Sequence, residues 1–338
     1  MPELVSILIP AYNAEKWIRE TIKSALDQTW PKKEIIIVDD GSTDNTFQIV
    51  KEFKSKSVKV ITQENQGAPS ARNKGLSFAQ GDYIQWLDHD DLLAPDKISH
   101  QLKDNEDWKK KRIVFSGAFG MFYYCHRRAR FTPNSLWQDL IPLDYFLIKF
   151  NKNVWLHPTT WLIPRKLTDM AGPWYENRSP DDDGEYFCRV VAASEGIKFV
   201  PEAKSYWRIG NLGSLSNTRS DEALGALFVA ISRSINHLRL LEDSERTKAA
   251  CLKYLQNRLL YFYPEKHEIL KKAEKLAQDL GGCLLPPEVS WKLSLFKTIF
   301  GWKIAKKIKN MAWSAEIYAR RNWDRLFLVS ASITKSVS

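Results

Sequence analysis

Cysteine is scarce in this sequence, and its placement argues against a covalent or metal-based scaffold. The 338 residues contain four cysteines, which lie far apart in the chain and form no C-x-x-C pair. We therefore expect neither a disulfide framework nor a zinc site. Cysteines of this kind suit a reducing compartment, so the cytoplasm is the expected location.

Long apolar runs and a secretory leader are also missing. No stretch of about 18 apolar residues occurs, so a spanning helix is not expected. The segment Met1–Leu4 has neither the basic region nor the small-residue cleavage site of a signal peptide. Apolar residues make up 44% of the chain and charged residues 27%. These values are ordinary for a globular protein and exclude disordered, collagen-like and coiled-coil classes for most of the chain.

The first third of the chain alternates β-branched runs with amphipathic segments. Strands are predicted at 5–10, 35–38, 58–61 and 83–87, and helices at 15–28, 43–53 and 67–80. Repeated β-α units of this length predict an α/β fold with a mostly parallel, twisted sheet and helices on both faces. Ligands of such sheets bind beyond the carboxyl ends of the strands.

The remainder of the chain divides into a mixed part and a helical part. The mixed part is predicted to have strands at 113–124 and 159–163 and helices at 139–150 and 181–193. Beyond Asn217, three consecutive helices are predicted, and the last of them ends at Leu280. We predict an α/β domain over 1–219, with halves 1–111 and 112–219, a helical extension over 220–285 and a basic amphipathic tail over 286–338.

The tail holds most of the net charge. The formal net charge is +10, and between Trp291 and Arg325 nine lysines and arginines accompany only two acids. Apolar residues recur there at spacings of three and four, namely Leu295, Phe296, Ile299, Phe300, Ile304, Ile308 and Met311. Such a segment is typical of helices that bind an anionic membrane surface without crossing it. It predicts a peripheral position on the inner face of the cell membrane.

The same pattern in the tail is compatible with two further arrangements. The apolar stripe could pack against the protein's own helices with the lysines facing solvent, or it could form a homodimer contact. Nucleic-acid binding is not expected, because basic charge is the only feature in its favour and no nucleic-acid motif occurs.

Acidic residues follow two of the predicted strands. Asp39 and Asp40 come directly after the strand at 35–38, and Gly41 and Ser42 follow them. A purely structural interpretation is a turn that caps the next helix. The functional interpretation is that Asp40, at the carboxyl end of a strand, accepts hydrogen bonds from the edge of a nucleobase.

A second cluster, made of Asp88, Asp90 and Asp91, follows the strand at 83–87. Three carboxylates within four residues repel one another unless a cation neutralises them. A D-x-D pair in a bend suits Mg²⁺ or Mn²⁺, which prefer oxygen ligands and share their remaining sites with phosphate. The structural interpretation is an acidic, solvated turn before the helix that Pro95 begins.

A third cluster, Asp181, Asp182, Asp183 and Glu185, begins the helix predicted at 181–193. Acids favour a helix amino terminus, which accounts for one or two of these residues but not four in five positions. A carboxylate at this place that faces the metal site could serve as a general base.

Taken in order, four motifs resemble those of the family 2 glycosyltransferases of GT-A fold. They are Val-Ser-Ile-Leu-Ile-Pro-Ala-Tyr-Asn at 5–13, Ile-Val-Asp-Asp-Gly-Ser-Thr-Asp at 37–44, Asn-Gln-Gly-Ala-Pro-Ser-Ala-Arg-Asn at 65–73 and Trp-Leu-Asp-His-Asp-Asp at 86–91. The resemblance is specific over about residues 4–100, continues more loosely through 183–189 and fades after about residue 217. It implies a Rossmann-like GT-A domain and an inverting transferase that uses a nucleotide-sugar donor, typically a UDP-sugar.

The resemblance also implies roles for residues that would bind the donor. Pro10 and Tyr12 would lie against the nucleotide base, and Asp40 would bind the uracil edge. Arg72 resembles the donor-site arginine of the family, with an exposed helix charge as the alternative interpretation. Asp88 would face the ribose or the donor sugar.

The metal and the catalytic base follow from the same resemblance. Asp90 would bind the Mn²⁺ or Mg²⁺ ion that bridges the diphosphate. Counting back from Arg189 assigns the base to Asp183, and the neighbouring Asp181 and Asp182 leave this register open. The base would deprotonate a hydroxyl of a saccharide or lipid-linked acceptor, which would displace UDP with inversion at the anomeric carbon.

The sequence departs from the family pattern in two ways. The Q-x-x-R-W motif of processive polysaccharide synthases is absent, which favours transfer of one or a few sugars. No histidine occurs between Asp183 and Ser216, where many relatives have one, so a third protein ligand for the metal is in doubt. A non-catalytic donor-binding or scaffold protein of the same fold is the alternative function. A nucleotidyltransferase is disfavoured because residues 9–14 do not form a glycine-rich phosphate loop.

Four tryptophans belong to the part of the chain that would face the acceptor: Trp137, Trp155, Trp161 and Trp174. Their rings could stack on a sugar, but large aromatic side chains are more often buried. Core packing is therefore the prediction for each of them.

Overall fold

The computed structural model describes residues 2–103, 112–210 and 218–287, together with helical positions 301–302, 304, 307–308, 311–312 and 314–325. The predicted apolar positions Leu295, Phe296, Ile299 and Phe300 of the tail lie outside the described residues.

The first sheet contains the strands predicted for the amino-terminal third. Its strands are β1 (Val5–Ala11), β2 (Lys33–Asp39), β3 (Val58–Thr62), β4 (Tyr83–Trp86) and β8 (Ile163–Pro164), in the order β3-β2-β1-β4-β8. Strands β1 to β4 are parallel, and the short β8 pairs antiparallel with β4. The prediction of a mostly parallel α/β sheet is therefore confirmed.

A second sheet lies beside the first, and the sequence pattern does not predict it as such. Its strands are β5 (Leu92–Leu93), β6 (Ile113–Phe122), β7 (Arg130–Phe131) and β9 (Gly196–Arg208), in the order β5-β9-β6-β7. Strand β9 carries Pro201 and Glu202, and its pairing with β6 shifts register between Gly117 and Phe119. A proline and an irregular alternation of apolar residues are poor strand signals, which is why the pattern of residues does not reveal β9.

The predicted helices are present, most of them with shorter bounds, and the helix at 165–171 is not among those predicted. The helices are α1 (Ile18–Leu26), α2 (Thr46–Lys51), α3 (Ala68–Phe78), α4 (Lys97–Leu102), α5 (Pro142–Lys152), α6 (Arg165–Ala171), α7 (Asp182–Ala193), α8 (Asp221–Leu241), α9 (Glu245–Arg258) and α10 (His267–Asp279). The strand predicted at 159–163 is wrong for most of its length. Residues Pro158–Thr160 form a 3₁₀ turn, and the side chain of His157 accepts a hydrogen bond from the Thr159 N–H there.

Both faces of the first sheet are buried, as the continuous β-branched runs indicate. Side chains of a strand alternate between faces, so Ile7 and Ile37 pack in one apolar cluster and Leu8 and Ile36 in the other. The second cluster also holds residues of α7, α8 and α9. The helical extension is therefore part of the same core as the sheet.

The register of the sheet brings the predicted site residues to one edge. Ala11 lies opposite Asp39, and Asp39 lies opposite Thr62. Because these strands are parallel, the segments that follow β1, β2 and β3 leave the sheet side by side. Asp88 follows β4, the other neighbour of β1, so it belongs to the same edge.

The carboxyl-terminal helical residues 314–325 pack against the segments that follow β6 and β9. Ile317 and Asp324 are buried. The Asp324 carboxylate accepts hydrogen bonds from the backbone N–H groups of Tyr124 and Cys125 at 2.9 and 3.1 Å. Within the described ranges, no helix combines the length and the apolar content needed to cross a bilayer.

Candidate active site

Arg72 lies at the centre of the site. Helix α3 begins just after Gly67 with Pro69 in its first turn, where the fixed φ of proline suits a helix start, and it places Arg72 one turn further on. The guanidinium donates hydrogen bonds to Asp88 Oδ1 and Asp182 Oδ2, both at 2.9 Å, and lies 4.3 Å from the centre of the Trp174 ring. Arg72 is only 7% exposed, so its interpretation as an exposed helix charge is wrong.

The two acids bound by Arg72 respond differently to their surroundings. Burial favours the neutral form of Asp88, but the charge and hydrogen bond of Arg72, together with the nearby His157 and His89, outweigh it, and the pKa of Asp88 is lowered. For Asp182, burial and the nearby charge of Asp88 outweigh Arg72, and its pKa is raised. Arg72 therefore joins an ionised carboxylate at the end of β4 to a more basic carboxylate at the start of α7.

Asp183 is the most clearly tuned acid of the third cluster. Burial, reinforced by the charges of Asp181 and Asp182, raises its pKa to about 7. Lys149 of α5 acts in the opposite direction. A carboxylate with a pKa near the working pH is suited to take up a proton as a general base.

Asp181 is tied to the helical extension. Its Oδ2 accepts a hydrogen bond from the Tyr254 hydroxyl at 3.5 Å and lies 3.7 Å from the Arg258 guanidinium. Gly184 leaves room for this arrangement, because a Cβ at that position would lie 2.1 Å from Asp181 Oδ1. These contacts come from α9, far along the chain, and sequence reasoning missed them.

A group suited to a cation lies beside Arg72. One ligand atom each of Asp88, Asp91 and His157 lie within 4.8 Å of one another, and His157 Nε2 is 3.6 Å from Asp91 Oδ2. Burial lowers the pKa of His157 to about 4, which leaves a neutral imidazole able to ligate a metal. Burial and the charges of Asp90 and Asp88 raise the pKa of Asp91. The negative charge around Asp91 is therefore not fully balanced by positive side chains.

Asp90, the predicted metal ligand, lies between the two carboxylates of that group in sequence but is not part of it. No hydrogen bond or salt bridge joins its carboxylate to another residue in the described part of the chain. Asp90 therefore offers an uncommitted carboxylate next to the group of Asp88, Asp91 and His157. The donor set of carboxylates with one imidazole fits a divalent cation such as Mn²⁺ or Mg²⁺.

Arg208, at the end of β9, bonds the backbone and one carboxylate of the acidic loop that follows β4 and contains Asp88, Asp90 and Asp91. Its backbone N–H donates to Asp91 Oδ1 at 2.8 Å, and its Nε donates to the Asp90 carbonyl at 2.8 Å. The same guanidinium bonds Glu20 at 2.7 Å and lies 3.9 Å from the Trp17 ring centre. Sequence reasoning missed this role because the pattern of residues does not predict the strand that delivers Arg208.

Both carboxylate oxygens of Asp40 are already hydrogen-bonded. Oδ1 accepts from the Gln63 side chain at 2.8 Å and from the Gln66 N–H at 3.0 Å, and Oδ2 accepts from the Gly67 N–H at 2.8 Å. Asp40 therefore holds the loop between β3 and α3. Its role at the nucleobase stays a prediction.

The neighbouring Asp39 has an oxygen to offer. It is 4% exposed, and its buried Oδ1 has no hydrogen-bond partner among the residues that the structure describes. A buried acceptor without a donor is costly, so a ligand N–H at this edge of the sheet would satisfy it. Tyr12 follows β1 beside it and is 43% exposed, whereas Pro10 is buried within the strand.

The four tryptophans of the acceptor half divide between core and surface. Trp161 and Trp174 are fully buried, Trp137 packs partly buried against the same core, and Trp155 is 48% exposed. Trp174 stacks on Tyr186 with 3.9 Å between ring centres and carries Arg72 on its ring. Core packing is confirmed for Trp161 and Trp174, and Trp155 is the exposed exception.

Comparison with known proteins agrees with this architecture. The family model "Glycosyl transferase family 2" matches residues 6–168. An uncharacterized glycosyltransferase of Haemophilus influenzae is 48% identical over 218 residues, which cover 63% of this chain and 82% of that protein. An uncharacterized glycosyltransferase of Rickettsia typhi is 33% identical over 198 residues, which cover 56% of this chain and 59% of that protein.

A solved structure resembles nearly the whole chain. S. aureus TarS 1–349, in complex with UDP-GlcNAc, superposes with a TM-score of 0.66 at 19% sequence identity, over 95% of this chain and 92% of that one. At this identity the likeness concerns the fold, which is GT-A. The family itself is established by the Haemophilus relative together with the family model, and the chain belongs to glycosyltransferase family 2.

Proposed function

We propose that the protein transfers a sugar from a nucleotide-sugar donor, of the UDP-sugar type, to a saccharide or lipid-linked saccharide acceptor with inversion of configuration. The observation that carries this proposal is the bridge made by Arg72 between Asp88 and Asp182. The acids that follow β4 belong to the donor side, and the acids that begin α7 belong to the side of the base. The bridge holds these two groups of acids close together. A single displacement needs these two sides within reach of one anomeric carbon.

The tasks of donor binding and proton transfer are divided among the residues of the site. Tyr12 and the Asp39–Asp40 segment hold the nucleobase, Asp88 faces the ribose or the donor sugar, and Arg72 orients Asp88. Asp183 takes the proton of the acceptor hydroxyl, while Tyr254 and Arg258 hold the neighbouring Asp181.

The acidic loop after β4 would hold the divalent cation. Asp90 and the group of Asp88, Asp91 and His157 would hold Mn²⁺ or Mg²⁺, and Arg208 fixes the loop that presents them. When bound, such an ion offsets the negative charge that builds up on the departing nucleoside diphosphate.

The proposal is tested by a screen of UDP- and GDP-sugars for hydrolysis in the presence of Mn²⁺ or Mg²⁺. We expect turnover of at least one donor that is lost in EDTA. We expect Asp90→Asn to lose turnover and metal-dependent UDP binding, while the exposed control Asp279→Asn keeps both. His157→Gln tests whether the group of Asp88, Asp91 and His157 shares the ion. Full activity in EDTA would exclude the metal, and UDP binding without any turnover would favour a non-catalytic donor-binding protein.

Substitution of Asp39 and of Asp40 tests which of these two residues contacts the nucleobase. Asp39→Asn should weaken UDP binding by about tenfold, the scale of one hydrogen bond to a charged group, and leave the melting temperature nearly unchanged. Asp40→Asn should lower the melting temperature, because its carboxylate holds three donors of the loop between β3 and α3. Isothermal titration with UDP and thermal unfolding of both variants provide the measurement. A melting temperature unchanged in Asp40→Asn, with weaker UDP binding, would instead assign the nucleobase contact to Asp40.

We also propose that the protein is cytoplasmic and attaches to an anionic membrane surface through its carboxyl-terminal region. Met311, Tyr318 and Trp323 are each more than 60% exposed, although Ile317 and Asp324 of the same segment pack on the protein. Exposed apolar and aromatic side chains among basic residues suit the lipid headgroup region.

Sedimentation with vesicles tests this attachment. The full chain should co-sediment with anionic vesicles at low salt and less at high salt. Replacement of Met311, Tyr318 and Trp323 by serine should reduce binding, whereas Leu240→Ser, which removes a 75% exposed leucine from α8, should not. Equal sedimentation of both variants would contradict the proposal. A doubled solution mass that falls in the triple variant would identify a homodimer contact.

A further inference from the structure

A cleft borders the proposed base cluster on the side of the helical extension. It is lined by residues of the 175–179 segment, of α7 and of α8, among them Tyr175, Asn177, Asp182, Glu185 and Arg233. Asp182 lines this cleft and also bonds Arg72. Through Asp182 the cleft adjoins the place where transfer is proposed.

The acids of the cleft have cationic partners of their own. Asp182 pairs with Arg72 at 2.9 Å, and Glu185 pairs with Arg189 at 2.9 Å. His237 also lies 3.4 Å from Glu185. The negative charge of Asp182 and Glu185 is therefore balanced by these neighbouring cationic side chains.

Arg233 of α8 has no such compensation. It forms no salt bridge with a carboxylate of the described ranges. Its guanidinium instead lies 3.3 Å from the centre of the Tyr175 ring, and Arg189 lies 4.6 Å from the same ring centre. A guanidinium stacked on an aromatic ring keeps the N–H groups at its edge free for hydrogen bonds. Tyr175 thus fixes Arg233 in place while leaving its donors available.

We propose that Arg233 binds an anionic group, a phosphate or a carboxylate, carried by the acceptor saccharide. The Asn177 side chain offers a further donor in the same cleft. This inference rests on the proposed function, since it assigns the chemistry of the acceptor for that reaction. A fixed guanidinium without a protein carboxylate is suited to bidentate recognition of a planar or tetrahedral oxyanion. An acceptor held there would bring a neighbouring hydroxyl to the acids at the start of α7.

Ligand-observed NMR on the full chain tests this proposal. The donor site is first filled with UDP and Mg²⁺, so that an anionic probe cannot bind there. Glucose 6-phosphate, glucuronate and neutral glucose are then compared as probes. We expect saturation transfer to at least one of the two anionic sugars and not to glucose, and the comparison of the two identifies phosphate or carboxylate.

Three variants assign the binding to Arg233. Arg233→Gln should weaken binding of the anionic sugar by about tenfold or more, as expected for loss of a charge-assisted hydrogen bond. Arg233→Lys should bind with intermediate strength because it keeps the charge without the planar fork. Arg239→Gln removes another arginine of α8, one that pairs with Asp243, and should behave as the parent protein.

The outcomes separate this inference from the proposed function. Equal signals from glucose and the anionic sugars, no binding of either anionic sugar, or equal binding by the parent and Arg233→Gln would each overturn it. The saturation-transfer signal of UDP itself is recorded in the same samples. Loss of that signal would count against the proposed donor site, whatever the sugars do.

Discussion

Asp183→Asn is expected to lose transfer by at least about a hundredfold, the scale for one positioned base, and to keep its affinity for UDP. The reason is that burial and the charges of Asp181 and Asp182 raise the pKa of Asp183 to about 7. In the parent protein, the rate of transfer should therefore rise with pH through about 7 as Asp183 becomes ionised. Steady-state rates from pH 5.5 to 8.5, with UDP binding measured separately, check both expectations.

The stability of the same variant should change in the opposite direction to its activity. An acid whose pKa is raised on folding stabilises the folded state below its unfolded pKa, and this contribution is lost as pH rises through the folded pKa. Ionised Asp183 therefore destabilises the folded state above about pH 7. Asparagine does not ionise, so it removes this destabilising contribution. We expect Asp183→Asn to melt at a higher temperature than the parent at pH 8, with a smaller difference at pH 5.

Asp182→Asn is the matched control. It removes the carboxylate that Arg72 holds, so it should weaken transfer by releasing Arg72, whereas Asp183→Asn leaves that ion pair in place. If Asp182→Asn alone abolishes transfer with stability intact, while Asp183→Asn remains active, the base is Asp182 and the register from Arg189 is wrong by one. If both variants transfer sugar normally, neither residue is the base.

The parts of this molecule that the sequence predicts well are those fixed by local patterns. The β-branched run of β2 specifies a strand buried on both faces, and the acids after β2 and β4 then reach one edge because parallel strands share it. Arg72 could be assigned to the site from its motif. Its two partners could not, because Asp182 lies 110 residues further along the chain and only packing brings it there.

The residues that sequence reasoning missed act through long-range or backbone contacts. His157 joins Asp88 and Asp91 from a 3₁₀ turn whose pattern of side chains resembles that of a strand. Arg208 bonds Asp91 partly through its backbone N–H, a contact that no side-chain motif records. Asp39 and Asp40 are adjacent and chemically identical, so only hydrogen-bond partners reveal which of them holds a loop and which has a free oxygen.

Replacement of Arg72 by glutamine is expected to damage both folding and transfer. Arg72 is buried and bonds Asp88 and Asp182 at 2.9 Å each, so its loss leaves two carboxylates facing one another without a counter-charge. Removing one partner of a buried ion pair costs roughly 3 kcal/mol of stability. Transfer should fall as well, because the donor side and the base side are no longer held together.

The dependence of this loss on pH identifies its electrostatic origin. The pKa of Asp88 is lowered in the folded parent, so the pair stabilises the protein above the unfolded pKa of the acid and less as pH falls through the folded value. In Arg72→Gln both acids should protonate more readily, and protonated carboxyls need no counter-charge. The stability difference from the parent, measured by chemical denaturation, should thus be largest near pH 7 and shrink towards pH 4. Lys74→Gln, which removes an exposed charge from the same helix, should show no such trend, and an equal loss at both pH values would mean that Arg72 acts by packing on Trp174 rather than by its charge.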